Sequence, residues 1–390
     1  MYVLVLILCS LVVVCSRRVI NCEGIPRSRQ NRVEMKTRRI AAKEKAITCG
    51  GIAGILDLPE DLLRVINEFC SIDSLLQANR LFFFKVKRSI YYYRLTKEHS
   101  KKYHACVAFR DAIKRRTKDV SKRLSLTFSG DDVTDVSVLG GVHTLNLVKC
   151  NKITDVSMLG GVHTLNLFEC TKITDVSMLG GVHTLNLTCC DEITDVSMLG
   201  GVHTLNLTCC DEITDVSMLG RVHTLNLIGC YKITDVSALG GVHTLNLSGC
   251  YKITDVSALG GVHTLNLSGC DITDVSMLGR VHTLNLCGCD KITDVSALGC
   301  AHALDLFGCY KITDVSMLGG VHTLNLFGCY KITDVSMLGG VHTLNLFGCD
   351  KITDVSALGG VHTLDLTNCS KITDVSMLGG VQNLLGVALL

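Results

Sequence analysis

Val242–Gly261 reads VHTLNLSGCYKITDVSALGG, and the chain continues at once with VHTLNLSGC from Val262. The same text recurs at Val142, Val162, Val182, Val202, Val222, Val242, Val262, Val281, Ala301, Val321, Val341 and Val361. The period is 20 residues, with one 19-residue copy at Cys270-Asp271, and there are twelve copies. Residues 121–141 resemble a degenerate first copy, and 381–390 a truncated last one.

Within one copy the apolar residues are Val242, Leu245, Leu247, Cys250, Ile253, Val256 and Leu259. Leu245 and Leu247 are two apart, as on one face of a strand. The others are spaced by three, too regular for a long helix and interrupted by Gly260-Gly261. One copy therefore makes a short strand, a turn and a tight return. Alone it cannot bury its apolar edge, whereas stacked copies bury it continuously. A period of about 20–29 with LxxLxL spacing signals a leucine-rich-repeat solenoid. The expected fold is an α/β solenoid with short parallel strands and non-helical or 3-10 returns. At about 4.8 Å per strand, twelve copies make a sheet of roughly 55–60 Å.

The constant positions have structural explanations. The first glycine of each pair never changes from Gly160 to Gly379, while the second becomes Arg221, Arg280 and Cys300. The first is expected to need a positive φ or close backbone approach. The Thr254-Asp255 pair with Ser257 supplies oxygens for backbone N–H groups in the return turn. Twelve cysteines, Cys150 to Cys369, form one row. They are expected as small buried thiols in a reducing compartment, though spacing alone leaves interstrand disulfides open. Twelve histidines, His143 to His362, form a second row just before the strands. They are expected to stack as neutral imidazoles, titrate as a coupled set and weaken the array in mild acid. No metal is expected, because His243 and Cys250 fall on different sides of the strand.

Information then lies where copies disagree. Thr244 and Asn246 should project from the concave face with little variation, but the next outward position runs Val148, Phe168, Thr188, Thr208, Ile228, Ser248, Ser268, Cys287, Phe307, Phe327, Phe347, Thr367. Tyr231, Tyr251, Tyr310 and Tyr330 follow ladder cysteines. Phe307, Phe327 and Phe347, flanked by Tyr310 and Tyr330, have the chemistry of a protein-binding patch, and Phe168 and Ile228 extend the candidate site. Partial burial in the loop above the strand is the competing reading.

The net charge of +2 hides an asymmetry: residues 16–123 carry +15 and residues 124–390 carry −13. A boundary falls near residue 123. Residues 1–15, MYVLVLILCSLVVVC, form an apolar run shorter than the roughly 20 residues of a spanning helix. A short anchor, a signal peptide and an extension upstream of Met35 all remain open, so the segment could contact a membrane. The division expected is an apolar segment 1–20, a basic linker 21–52, a helical unit 53–95, a basic helix 96–123 covering the first coil, and the array 121–390. The basic face of 96–123 is read as solvated, with no nucleic acid as partner. No nucleophile–base constellation, phosphate loop or metal spacing stands outside the periodic rows, so neither catalysis nor a cofactor is expected.

Residues 56–95 contain LPEDLLRVINEF and SLLQANRLFF. Pro59 sits at an allowed first-turn position, Glu60 and Asp61 favour the positive helix end, and Leu62, Leu63, Ile66 and Phe69 form a stripe. This segment resembles an F-box. The array resembles the cysteine-containing leucine-rich repeats that follow F-boxes, and is also similar to the ITD-rich repeats of bacterial internalins. The order of the two resembles substrate receptors of cullin–RING ubiquitin ligases. That resemblance implies that Leu58, Pro59, Leu62, Leu63, Ile66, Leu75 and Leu76 face a Skp-type adaptor while the repeats hold a protein target, in the cytoplasm. A secreted or membrane-anchored adhesion protein is the alternative, and an array amplified under little selection for binding is a third.

Overall fold

The computed structural model describes residues 93–116, 124–130 and 133–386. The expectations for the N-terminal apolar segment, the basic linker and the F-box-like helices therefore lie outside the described residues. The contacts divide the chain into one unit of residues 1–99 with 111–125 and another of 100–110 with 126–390.

In the first unit the end of the segment expected to be helical is instead a strand, β1 (Tyr93–Arg94), paired in parallel with the start of β2 (Leu124–Ser129). Thr96 caps the helix that follows, α1 (Lys97–Ala105), accepting the His99 N–H on its Oγ1 at 3.3 Å. The basic region is two helices rather than the one expected. The chain breaks at Cys106 before α2 (Val107–Arg116).

In the second unit the Arg110 guanidinium donates to the Tyr103 and His104 carbonyls, at 3.1 and 2.8 Å. It thereby satisfies the carbonyls that end α1. The C-terminal half of α1 lies against the first coil of the array. Ser100 Oγ accepts the Thr127 N–H at 3.2 Å, His104 Nε2 donates to the Asp135 carbonyl at 2.6 Å, and the His104 ring meets Phe128 edge-on. Tyr103 and Phe128 are fully buried at this end. The Ser100 hydroxyl thus gives a partner to the Thr127 N–H, which lies beyond the residues of β2 paired with β1.

From there the unit is a solenoid. After β3 (Thr144–Val148) come twelve three-residue strands, β4 (Thr164–Asn166) through β15 (Asn383–Leu385). Each pairs in parallel with the next, and equivalent residues of successive copies face each other, as in Leu245↔Leu265 and Asn246↔Asn266. All seven apolar positions of the copy quoted above are buried, and the same holds coil after coil until the last, where Ile372 and Val375 are half-buried. The returns are 3-10 turns, Ser157–Leu159 in the first and Ser376–Gly380 in the last. The 19-residue copy loses its residue from the exposed turn after Cys270; Ile272 stays buried and the register Leu265↔Leu284 continues.

The glycines separate into three roles. The first of each pair is needed for close approach and not for a positive φ: Gly160, Gly220 and Gly279 lie near φ −60°. A Cβ on Gly260 would run into the Met277 carbonyl oxygen of the next coil. The 3-10 turn ends at Leu219 and Leu278 where Arg221 and Arg280 replace the second glycine, and it ends likewise at Leu159 where Gly161 is kept. The positive φ belongs instead to the residue before the ladder cysteine, Gly249 at +76° for example.

Gly260→Ala is therefore expected to cost about 1–3 kcal/mol, because a packed backbone oxygen must move. Arg280→Gly should stay within about 0.5 kcal/mol. Urea unfolding followed by circular dichroism compares the two; equal midpoints would refute the close-approach role.

Candidate functional site

Each strand turns its leucines inward and its Thr and Asn outward, onto the open face of the sheet. These polar rows are used by the scaffold itself. Asn246 Oδ1 accepts the Ser248 N–H at 3.0 Å, ending the strand in an Asx turn. The same bond recurs in the following copies, including from Phe307 N–H to Asp305 and from Thr367 N–H to Asp365. The exception is the first copy, where β3 runs on to Val148 and Asn146 Oδ1 is buried without a hydrogen-bond partner. This bond explains why the position accepts Asn or Asp and nothing else.

The thiol row has the expected burial and a specific bond. From Cys170 to Cys369 each Sγ–H donates to a leucine carbonyl of the preceding coil, at 2.9–3.3 Å, as Cys250 does to Leu227. Burial pushes the Cys250 thiol up to about 11 and Cys210 to about 12. These thiols hold the turn together and are unsuited to nucleophilic chemistry.

Twelve histidine rings stack in one column, His143 to His362, with centroids 4.5–4.7 Å apart. Nδ1 of each lies 3.1–3.3 Å from the Oγ1 of the next threonine, as at His243 and Thr244, except at His302, which precedes Ala303. Parallel rings aim their nitrogen lone pairs along parallel lines that do not meet. No group of three or more metal-ligating side chains forms among the described residues.

Thirteen aspartates, Asp135 to Asp374, line the return edge, each accepting the N–H of the serine two residues on at 2.8–2.9 Å. The Ser257 N–H, then its hydroxyl, hold Asp255 below its ordinary value.

Of the predicted binding residues, Phe307, Phe327 and Phe347 come together. Phe307 and Phe327 meet at 4.7 Å with their rings tilted by 31°, and Phe327 and Phe347 stack at 4.4 Å; Phe307 is exposed and the other two are half-buried. Tyr310 and Tyr330 stack beside them at 5.8 Å, both exposed. Phe168 and Ile228 are half-buried on the same face but stand apart, in the second and fifth copies. Lysines near this edge are partly neutralised across coils, with Lys232 to Glu212 at 2.5 Å and Lys291 to Asp271 at 2.6 Å. The predicted adaptor-facing residues Leu58 to Leu76 lie outside the described residues.

The sequence reading missed a row of eight methionines, Met158, Met178, Met198, Met218, Met277, Met317, Met337 and Met377, 58–63% exposed on the 3-10 returns. The available signal was variation: this position alternates Met with Ala, while the buried Leu and Ile rows do not vary in the full copies.

The profile of one leucine-rich-repeat family matches residues 262–278. No curated protein matches the sequence. Among solved structures, the internalin InlF of Listeria monocytogenes is similar at 25% identity, over 70% of this chain and 89% of that one, with a TM-score of 0.56. A leucine-rich-repeat protein of Leptospira interrogans is similar at 16% identity over 67% and 77%, with a TM-score of 0.45. The functional domain of InlJ from Listeria monocytogenes, which includes a cysteine ladder, is similar at 18% identity over 65% and 74%, with a TM-score of 0.37.

Desolvation, followed by the neighbouring rings, lowers His282 and His342 below the usual 6.5. A histidine depressed in the folded state resists the proton that the unfolded chain accepts. Stability is therefore full above about pH 6.5 and falls as the pH drops through the folded values. The aspartates, also depressed, keep their contribution until the pH falls below the ordinary 3.8. The melting temperature should be level between about pH 7 and 8, decline between about pH 6.5 and 5, decline again below about pH 4, and fall above about pH 9, where the unfolded chain ionises the thiols that burial keeps protonated in the folded one. A level melting temperature down to about pH 5 would contradict the lowering at His282 and His342.

Proposed function

We propose that this leucine-rich-repeat protein is a non-catalytic, protein-binding scaffold that grips its target through the aromatic column Phe307–Phe327–Phe347 and the adjoining Tyr310 and Tyr330. The observation that carries this reading is the run of three phenylalanines in consecutive coils, ring against ring and partly exposed, on the open face. The Thr and Asn rows are engaged by the scaffold, so target choice falls to the one outward position that varies. Aromatic side chains there offer large contact area at low cost in conformational entropy.

The finer part of the proposal is that the chain is a cytoplasmic substrate receptor of a cullin–RING ubiquitin ligase. Leu58, Pro59, Leu62, Leu63, Ile66, Leu75 and Leu76 would dock a Skp-type adaptor. Support comes from the sequence LPEDLLRVINEF and from its position ahead of the repeats. A row of thiols bonded to carbonyls rather than to each other suits a reducing compartment. The second reading, a secreted or membrane-anchored adhesion protein, is favoured by the apolar run of residues 1–15 together with the similarity to internalin InlF.

Affinity capture of the full chain separates these readings. Phe327→Ala with Phe347→Ala should weaken target capture at least tenfold, about 1.4 kcal/mol or more, and leave a Skp-type adaptor bound. Pro59→Ala with Leu62→Ala should lose the adaptor and keep the target. Capture of the same partners by both variants would overturn the scaffold reading. Recovery of the chain in the medium or membrane fraction, with no adaptor bound, would replace the ligase reading by the adhesion one.

A further inference from the structure

Cys189 and Cys209 occupy the same place in consecutive coils, each directly before a ladder cysteine. In the other full copies this place holds Lys149, Glu169, Asn368 or glycine, so these two copies alone set thiol above thiol there. Both residues adopt φ +56°. Both are half-buried, unlike the ladder thiols, which are closed off from solvent.

Their separation follows from the register. The flanking strands pair Thr184↔Thr204, Leu185↔Leu205 and Asn186↔Asn206, and the Cys189 N–H donates to the Thr208 carbonyl at 2.9 Å. Neighbouring strands lie about 4.8 Å apart, inside the roughly 4.4–6.8 Å between Cα atoms that a disulfide spans. The ladder cysteines beside them share the spacing but not the chemistry. Cys190 and Cys210 donate to the Leu167 and Leu187 carbonyls and are buried.

We propose that Cys189 and Cys209 are a reversible redox pair that reacts with a small-molecule disulfide and closes into a bond between two coils. One thiol gives its proton to solvent, and the thiolate attacks a sulfur of the reagent. The reagent's S–S bond breaks and one half leaves as a thiolate that takes up a proton. The second cysteine then loses its proton and attacks the protein-bound sulfur of the mixed disulfide, expelling the other half. Two protein thiols are oxidised to one disulfide, and one reagent disulfide is reduced to two thiols. Burial, then the neighbouring Cys209, Asp191 and Glu169, hold Cys189 above its ordinary value. Closure is therefore slow near neutrality and quickens as the pH rises. The staple sits at the edge of the open face, next to Thr188 and Thr208, and it needs neither an adaptor nor a target.

The test treats reduced, native full-length protein with excess glutathione disulfide, then maps peptides by mass spectrometry. The expected product is a peptide pair joined through Cys189 and Cys209, lighter by two hydrogens, and reopened by dithiothreitol. Cys189→Ser or Cys209→Ser should leave one glutathione on the remaining cysteine. Cys189→Gly and Cys209→Gly, which copy the residue used in seven other coils, repeat the test with a substitution the turn accepts. Glutathione held separately on both cysteines, linkage of either to a ladder cysteine, or no reaction at alkaline pH would overturn the proposal.

Discussion

Registered contact between one coil and the next is the constraint on which the array depends. A single coil has an apolar edge and no inside. Its Leu, Ile, Val and Cys rows become dry only when the neighbour's equivalents lie against them. The backbone obeys the same requirement. The Leu247 N–H donates to the Asn266 carbonyl, and the His263 and Thr264 N–H groups share the His243 carbonyl, so every coil borrows bonds from both neighbours. The end toward the N-terminus is closed by Ser100, Tyr103 and His104 of α1.

That contact also explains why the copies are nearly identical in most positions. The Gly260 place is fixed by a carbonyl on the next coil, the Asn246 place by an Asx turn, and the Asp255 place by a serine N–H. The histidine column follows from the same spacing. Rings 4.5–4.7 Å apart are what a parallel sheet imposes on any planar side chain repeated at its edge. Positions freed from such duties are few: the outward residue after Asn, the residues around the ladder cysteine, and the exposed Met or Ala of the return. Any recognition of partners has to be written there.

Much of this was legible in the sequence because the physics is periodic. The 20-residue repeat, the inward leucines, the buried thiols, the stacked histidines and the Asp-Ser turn all follow from spacing. What was not legible depended on local conformation. The positive φ falls before the ladder cysteine, at Gly249, although the glycine pair drew attention first. The exposed methionines look apolar in composition, yet the 3-10 return turns them outward beside the buried Leu259 row. In the basic stretch before the array Cys106, Phe109 and Ile113 fall at helical spacing, and only the break at Cys106 shows two helices there. The aromatic column was legible as a set of residues; its stacking, with Phe307 the most open, was not. The vicinal thiols Cys189 and Cys209 stood in plain text, but their meaning needs the register that places one over the other.

The central claim, a dry interior shared by in-register coils, is tested most directly by thiol accessibility. Native protein is exposed to iodoacetamide and mapped by mass spectrometry, with and without denaturant. The account predicts labelling at the open Cys300 and at none of the ladder positions Cys170 to Cys349 until the chain unfolds, and then at all of them together. Labelling of the ladder cysteines in the native state, at the rate of Cys300, would contradict it.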